Sequence, residues 1–299
     1  MRVVKSPKRE NFGVNWYDYG ARFYDPELAR WHSVDPLAES YYSHSPYHFS
    51  GNNPIRLLDL NGMNYDDYYI NRDASIRTVK TDDSFDRFYV QDVFSDTGYK
   101  QVAQLDKNEA GLVQFPSTGT GFDRFGSNDA GGTSTSPSEN VGHGDHFLKP
   151  ITAAALFGIA DKLNSEYGFT ISFGDMSSSN GSDPWQSGSK HHAGHGHLGK
   201  RSGLDVDFRY MNTEGESFQS SNAFNSSSFS SLNNQRVFDA AAAFGFTKNY
   251  QGTSGNLTGA PKVGGHNDHG HLGLQYNSLN WKYISNAPIR QSIFNLMGR

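Results

Sequence analysis

Seven of the twelve histidines fall in two short glycine-containing clusters: His191, His192, His195 and His197 in HHAGHGH, and His266, His269 and His271 in GHNDHGH. Between them lies Asp205-Val206-Asp207, whose two carboxylates share one face of a strand because side chains alternate with period two. The same period puts His269 and His271 on one face. The chain has no cysteine, which excludes disulfides, thiolate ligands and thiol nucleophiles and leaves metal chemistry to His, Asp and Glu. Imidazole and carboxylate are the ligands zinc accepts without thiolate, commonly three from the protein with an open position for water. A zinc site of that kind brings the pKa of water down to about 7 and polarises a carbonyl, and a histidine beside it can accept or return the proton. Two clusters, each joined to a strand, with one acidic pair next to the first, argue for a built site over solvated linker; His191 and His192 read as exposed loop.

The elements that must hold these groups follow from local pattern. KPITAAALFGIADKLNSEYG has apolar residues at 151, 155, 156, 159, 160 and 163, with Pro150 at its start and Gly168 as its stop, and predicts an amphipathic helix. FTISFGDMS predicts a buried strand, LDVDFRY a second and HGHLGLQY a third, and FDAAAAFGF predicts a helix ended by Gly245. Residues 212–234, rich in Ser and Asn, read as a long surface loop. Upstream, YYINRDASIRTVKTDD and DRFYVQDV alternate as strands, whereas 117–145 is Gly, Ser, Thr and Asn with few apolar anchors and reads as a linker. Before residue 64 the chain is dense in aromatics and turn formers, fitting short strands.

At 299 residues the chain exceeds one average domain. Its 21 Phe, 16 Tyr and 32 Gly favour strands and turns over leucine-rich helices. The expected fold class is α+β, a small antiparallel sheet with flanking helices preceded by a β-rich segment. Net charge is −5, which supplies no general cationic field for phosphates and disfavours nucleic acid as a partner. No apolar run approaches the roughly 18 residues of a membrane helix, and MRVVKSPKRE lacks the apolar stretch of a signal peptide. A chain that is soluble, without a membrane partner, is expected.

Two resemblances sharpen this reading. YDYGARFYDPELARWHSVDP followed by SPYHFSGNNPIRLLDLNGM resembles the C-terminal end of the rearrangement-hotspot (Rhs) repeat core, a β-cocoon that encloses a variable toxin. The core's terminal Asp-Pro-x-Gly-Leu element, where self-cleavage frees the cargo, corresponds to Asp59, Leu60, Asn61, Gly62 and Met63, a departure at Pro and at Leu. From about 150 to 276, GDMSSSN, GHGHLGKRSGLDVDF and GHNDHGHLGL in that order resemble the penicillin-insensitive murein endopeptidases, within the wider superfamily of lysostaphin-type enzymes and D-alanyl-D-alanine peptidases (LAS).

That second resemblance implies zinc as cofactor, Asp207 and His271 as ligands, His269 as a catalytic histidine and His266 as a further active-site histidine. The family's second ligand falls in register on Lys200, an ammonium without a lone pair for zinc. The reading adopted gives its role to His197, which matches the family's upstream metal-contacting histidine, or to neighbouring His195; a crippled site and a deliberately changed residue are the other readings. Asp205 is expected to hold a ligating imidazole by its other N–H, and Asp175 and Trp185 to line the cleft.

The expected organisation is an Rhs core remnant at 1–63, a small β-rich subdomain with linker at 64–145, and a zinc metallopeptidase-like toxin domain at 146–299. Together the resemblances imply an antibacterial effector, carried by a secretion apparatus into the periplasm of a target bacterium, that hydrolyses peptide cross-links of peptidoglycan and is countered by a cognate immunity protein. A metal-dependent nuclease toxin and an inactive, metal-stabilised wall-binding module are the alternatives.

Overall fold

The protein is described by a computed structural model over residues 17–18, 23–34, 45–47, 65–81, 85–126, 144–182 and 201–284. The expectations for His191, His192, His195, His197, Lys200, Trp185 and the Asp59–Met63 junction lie outside these residues. Near the N-terminus, β1 (Tyr17–Asp18), β2 (Phe23–Asp25) and β3 (Arg30–Trp31) form a three-stranded antiparallel sheet. The Asp25-Pro26 turn between β2 and β3 is closed by the Asp25 carboxylate, which accepts the N–H groups of Glu27 and Leu28 at 2.9 and 3.1 Å.

Four strands follow: β4 (Tyr65–Ile70), β5 (Ser75–Thr81), β6 (Asp86–Gln91) and β7 (Tyr99–Leu105). Next come β8 (Val113–Gln114), β9 (Thr118–Gly119), β10 (Phe122–Arg124), β11 (Phe147–Leu148), α1 (Pro150–Tyr167), β12 (Ile171–Gly174) and β13 (Asp205–Arg209). The chain continues through α2 (Ser231–Ala243), β14 (His269–Gly273) and β15 (Asn280–Ile284). Two five-stranded sheets result, one in the order β15-β5-β4-β6-β7 and one in the order β14-β13-β12-β10-β9, beside a β8–β11 pair. Mixed sheets with two helices make the class α+β.

Helix α1 starts with Pro150, whose missing N–H costs nothing in the first turn, and stops at Gly168 in the left-handed region at φ 73°. It departs from the amphipathic expectation, because every residue from Pro150 to Ala160 is buried. The reason is its position between layers: Phe157 meets Phe88 of β6 at 5.2 Å and Phe122 of β10 at 5.8 Å. A helix covered on both sides needs apolar residues around its whole circumference, and the Ala153-Ala154-Ala155 run keeps it slim.

Two other expectations are corrected. Residues 212–234 are not simply a surface loop: Phe224 and Phe229 pack edgewise on Tyr210, and Ser230 caps α2 by accepting the Asn233 N–H. Asn234 is fully buried, where its amide accepts the Met211 N–H at 2.8 Å and donates to the carbonyls of Met211 and Ser230, so a polar residue serves the interior. The 117–145 stretch contains β9 and β10, and β10 pairs in parallel with β12. Strand β15 likewise returns to pair with β5, and the larger hydrophobic core joins Tyr68 to Leu274. Sheets and core therefore run across the position expected to separate 64–145 from 146–299. Among the described residues no helix is long and apolar enough to cross a membrane.

Candidate functional site

The antiparallel β13–β14 ladder builds the site. Val206 and Phe208 point into the core, so Asp205, Asp207 and Arg209 occupy the opposite face. The register sets Asp205 opposite Gly273, Asp207 opposite His271 and Arg209 opposite His269. The glycines of HGHLG are dictated by close approach. A Cβ on Gly270 would stand 2.4 Å from the Phe208 ring, and one on Gly273 would stand 2.8 Å from an Asp205 carboxylate oxygen.

Side chains from this ladder converge. His271 Nδ1 lies 3.1 Å from Asp207 Oδ1, and its Nε2 lies 3.3 Å from Asp205 Oδ1. His269 Nε2 lies 3.3 Å from the other Asp207 oxygen, while its Nδ1 contacts Asp268 at 2.8 Å. Asp207 thus touches both imidazoles, and Asp205 is itself held by Arg201, whose Nε donates at 2.8 Å. Tyr250 bridges backbone to backbone with His271 and stacks on its ring at 5.2 Å. His266 completes the cluster 4.9 Å from the His269 ring, anchored by its carbonyl, which accepts the Tyr210 hydroxyl at 3.0 Å.

Burial and charge act against each other here. Burial pulls the His269 imidazole down, but the Asp207 and Asp268 carboxylates outweigh it and push its pKa to about 9. His271 is raised as well: burial disfavours its cation, but Asp205 and Asp207 favour it more. Burial raises Asp205, but hydrogen bonds from His271 and Arg201 overcome this and hold it below the usual carboxylate range. His266 goes the other way, lowered by burial with only partial relief from Asp207. The cluster therefore holds one neutral-leaning imidazole beside two cation-leaning ones. His269, 18% exposed, opens to solvent, whereas Asp207 is 1% exposed.

Of the expected residues, Asp205, Asp207, His266, His269 and His271 come together. Asp175 joins them at the end of β12, where Gly174 is opposite Asp207, in the left-handed region at φ 47° with its charge felt by His269. Among the described residues no group of three or more His, Asp or Glu is disposed to hold a metal ion, and His195, His197 and Lys200 lie outside them. The reading of sequence missed Asp268, Arg201, Tyr250 and Tyr210. Asp268 sits inside GHNDHGH, Arg201 four residues before Asp205 and Tyr210 directly after Arg209 in LDVDFRY, so spacing carried a signal for all three; Tyr250 arrives from a distant loop that no local pattern marks.

No family model matches the chain. A stretch of 47 residues, 16% of the chain, is 44% identical to salivary gland surface protein 1 of Aedes aegypti, of which it covers 1%.

Proposed function

We propose that this chain is an antibacterial effector of the Rhs type whose C-terminal part is a zinc-dependent peptidoglycan endopeptidase of LAS-like fold. The observation that carries the reading is the contact of one buried carboxylate, Asp207, with two imidazoles opposite it, His271 Nδ1 at 3.1 Å and His269 Nε2 at 3.3 Å. Oxygen and nitrogen donors of this kind fit zinc. Asp207 and His271 would hold the ion, with His197 or His195 as third donor. When bound, zinc supplies Lewis acidity for a carbonyl and acidifies water.

The protein's own groups do the rest. Asp205, clamped by Arg201, stands 3.3 Å from His271 Nε2 and would take that side of the ring, leaving Nδ1 as the atom to hold the ion. His269 holds or returns a proton at Nε2, and Asp268 on its Nδ1 fixes the ring for that exchange. His266 and Tyr250 pack against the His271 ring and hold it in place. Peptidoglycan cross-links as substrate, delivery by a secretion apparatus, action in the periplasm of a target cell and a cognate immunity protein belong to the same proposal and rest on the sequence resemblances. Lys200, in the register of the family's second ligand, favours one other reading, an inactive wall-binding module.

The test is digestion of purified sacculi with zinc, and with EDTA, beside a plasmid-nicking assay. Release of soluble muropeptides only with zinc, without nicking, is the expected result, as is toxicity on export to the periplasm but not in the cytoplasm. Binding of sacculi without release would favour the inactive module, and nicking would favour a nuclease.

A further inference from the structure

Arg209 is the third side chain on the functional face of β13, two residues beyond Asp207 and opposite His269. Three other arginines of the fold carry built-in carboxylates: Arg201 has Asp205, Arg87 has Asp67 at 2.7 Å, and Arg72 has Asp161 at 3.3 Å, whereas Arg236, away from this face, lies over Tyr167. Among the described residues no carboxylate lies in ion-pair range of Arg209. Its guanidinium instead lies over the Phe125 ring, 4.3 Å from the centroid. Phe125 is itself fixed: its N–H donates to the Phe173 carbonyl at 2.8 Å, and its ring covers Gly174, where a Cβ would come within 2.6 Å. An aromatic platform under one face of a guanidinium leaves the N–H edge available, the edge that grips a carboxylate with two parallel hydrogen bonds.

The surroundings call for such a group. Asp205 is matched to Arg201, and Asp207 and Asp268 to His269, so among the described residues Arg209 is the cation of this face left for the free carboxylates that stem peptides of the wall carry. We infer that Arg209, laid on Phe125, is the substrate-carboxylate anchor of the site and selects peptides with a free carboxylate next to the bond that is cut. The inference rests on the peptidase reading above.

It is tested with soluble muropeptides bearing free carboxylates and the same muropeptides after their carboxylates are amidated. Each is titrated calorimetrically into the full chain in EDTA, so that binding is read without turnover. The unsubstituted protein is expected to prefer the free acids about 10-fold. Arg209→Gln should lose that preference, and Arg209→Lys should keep part of it because the charge remains without the planar fork. A merely structural arginine would change the thermal midpoint but not the preference. Equal binding of both ligand sets by the unsubstituted protein, or an unchanged preference in Arg209→Gln, overturns the inference; should Arg209→Gln not fold, a full preference in Arg209→Lys does so. Release from sacculi by the zinc-loaded protein is scored separately. Its absence removes the peptidase reading, whereas release with an unaltered KM for free-acid muropeptides in Arg209→Gln removes the anchor alone.

Discussion

His271 lies between two carboxylates, with Asp207 on Nδ1 and Asp205 on Nε2, so removing either His271 or Asp207 takes away a donor and leaves a buried charge behind. His271→Ala and Asp207→Ala should each lower zinc affinity by at least about 10-fold and abolish hydrolysis, measured by chelator competition and sacculus release; full affinity in either variant would overturn the assignment. A second expectation concerns pH. The pKa of His269 is raised to about 9 in the folded chain, above its unfolded value of about 6.5. Its stabilising contribution is then complete below about pH 6.5 and disappears as pH rises through about 9. In protein stripped of metal, the thermal midpoint should fall across that window, and His269→Gln should flatten the fall. The paired acidic and imidazole residues were legible because strand periodicity is local. Tyr250 and Arg209's platform were not, since loops far apart in sequence supply them.

At the scale of elements, β13 is aimed by what precedes it. Gly203 has φ +69° and touches neighbouring backbone: a Cβ would stand 2.4 Å from the Lys149 nitrogen. Its carbonyl accepts the Lys149 N–H at 3.0 Å and its own N–H donates to Ser177 Oγ at 2.6 Å. Gly203→Ala should cost about 3 kcal/mol through backbone strain and overpacking, lowering the thermal midpoint by roughly 10 °C and weakening zinc binding as the ladder shifts. In the other sheet, Asp86 at the start of β6 accepts the Asp66 N–H at 2.7 Å and pairs with Lys107 at 3.0 Å. Burial pushes its pKa up to about 7 despite the lysine. A carboxyl raised above its unfolded value of about 3.9 contributes stability below that pH and loses it as pH climbs through about 7. The difference in thermal midpoint between the unsubstituted chain and Asp86→Asn should therefore change between pH 4 and 7 and be constant above; a constant difference throughout would contradict this. Helix α1 and strands β12, β13 and β14 could be read from apolar spacing and the Pro and Gly boundaries of the helix. Its burial on every side could not, because that depends on which sheets flank it.

For the molecule as a whole, the controlling fact is one core assembled from both halves. Ile70, Phe88, Phe115 and Phe122 from the first half join Phe157, Phe173, Phe208 and Phe246 from the second. A fragment beginning at residue 146 would expose Phe157 and lose β10 and β5 as strand partners, so it should show no cooperative thermal transition. A chain beginning at residue 65 should retain one, and circular dichroism melts of the two would decide. The segment at 117–145 reads as linker because its composition is polar, yet it contains β9 and β10, and β10 pairs with β12 beyond it. Alternation, glycine and proline placement and the clustered His and Asp already specified the strands of the β13–β14 ladder, the limits of α1 and the imidazoles and carboxylates that meet on that ladder, because each depends on neighbours within a few positions. Which strands pair, in what register, and which distant rings and cations stand beside Asp207 and His269 were decided by the shared core, since packing free energy depends on contacts that no local spacing encodes.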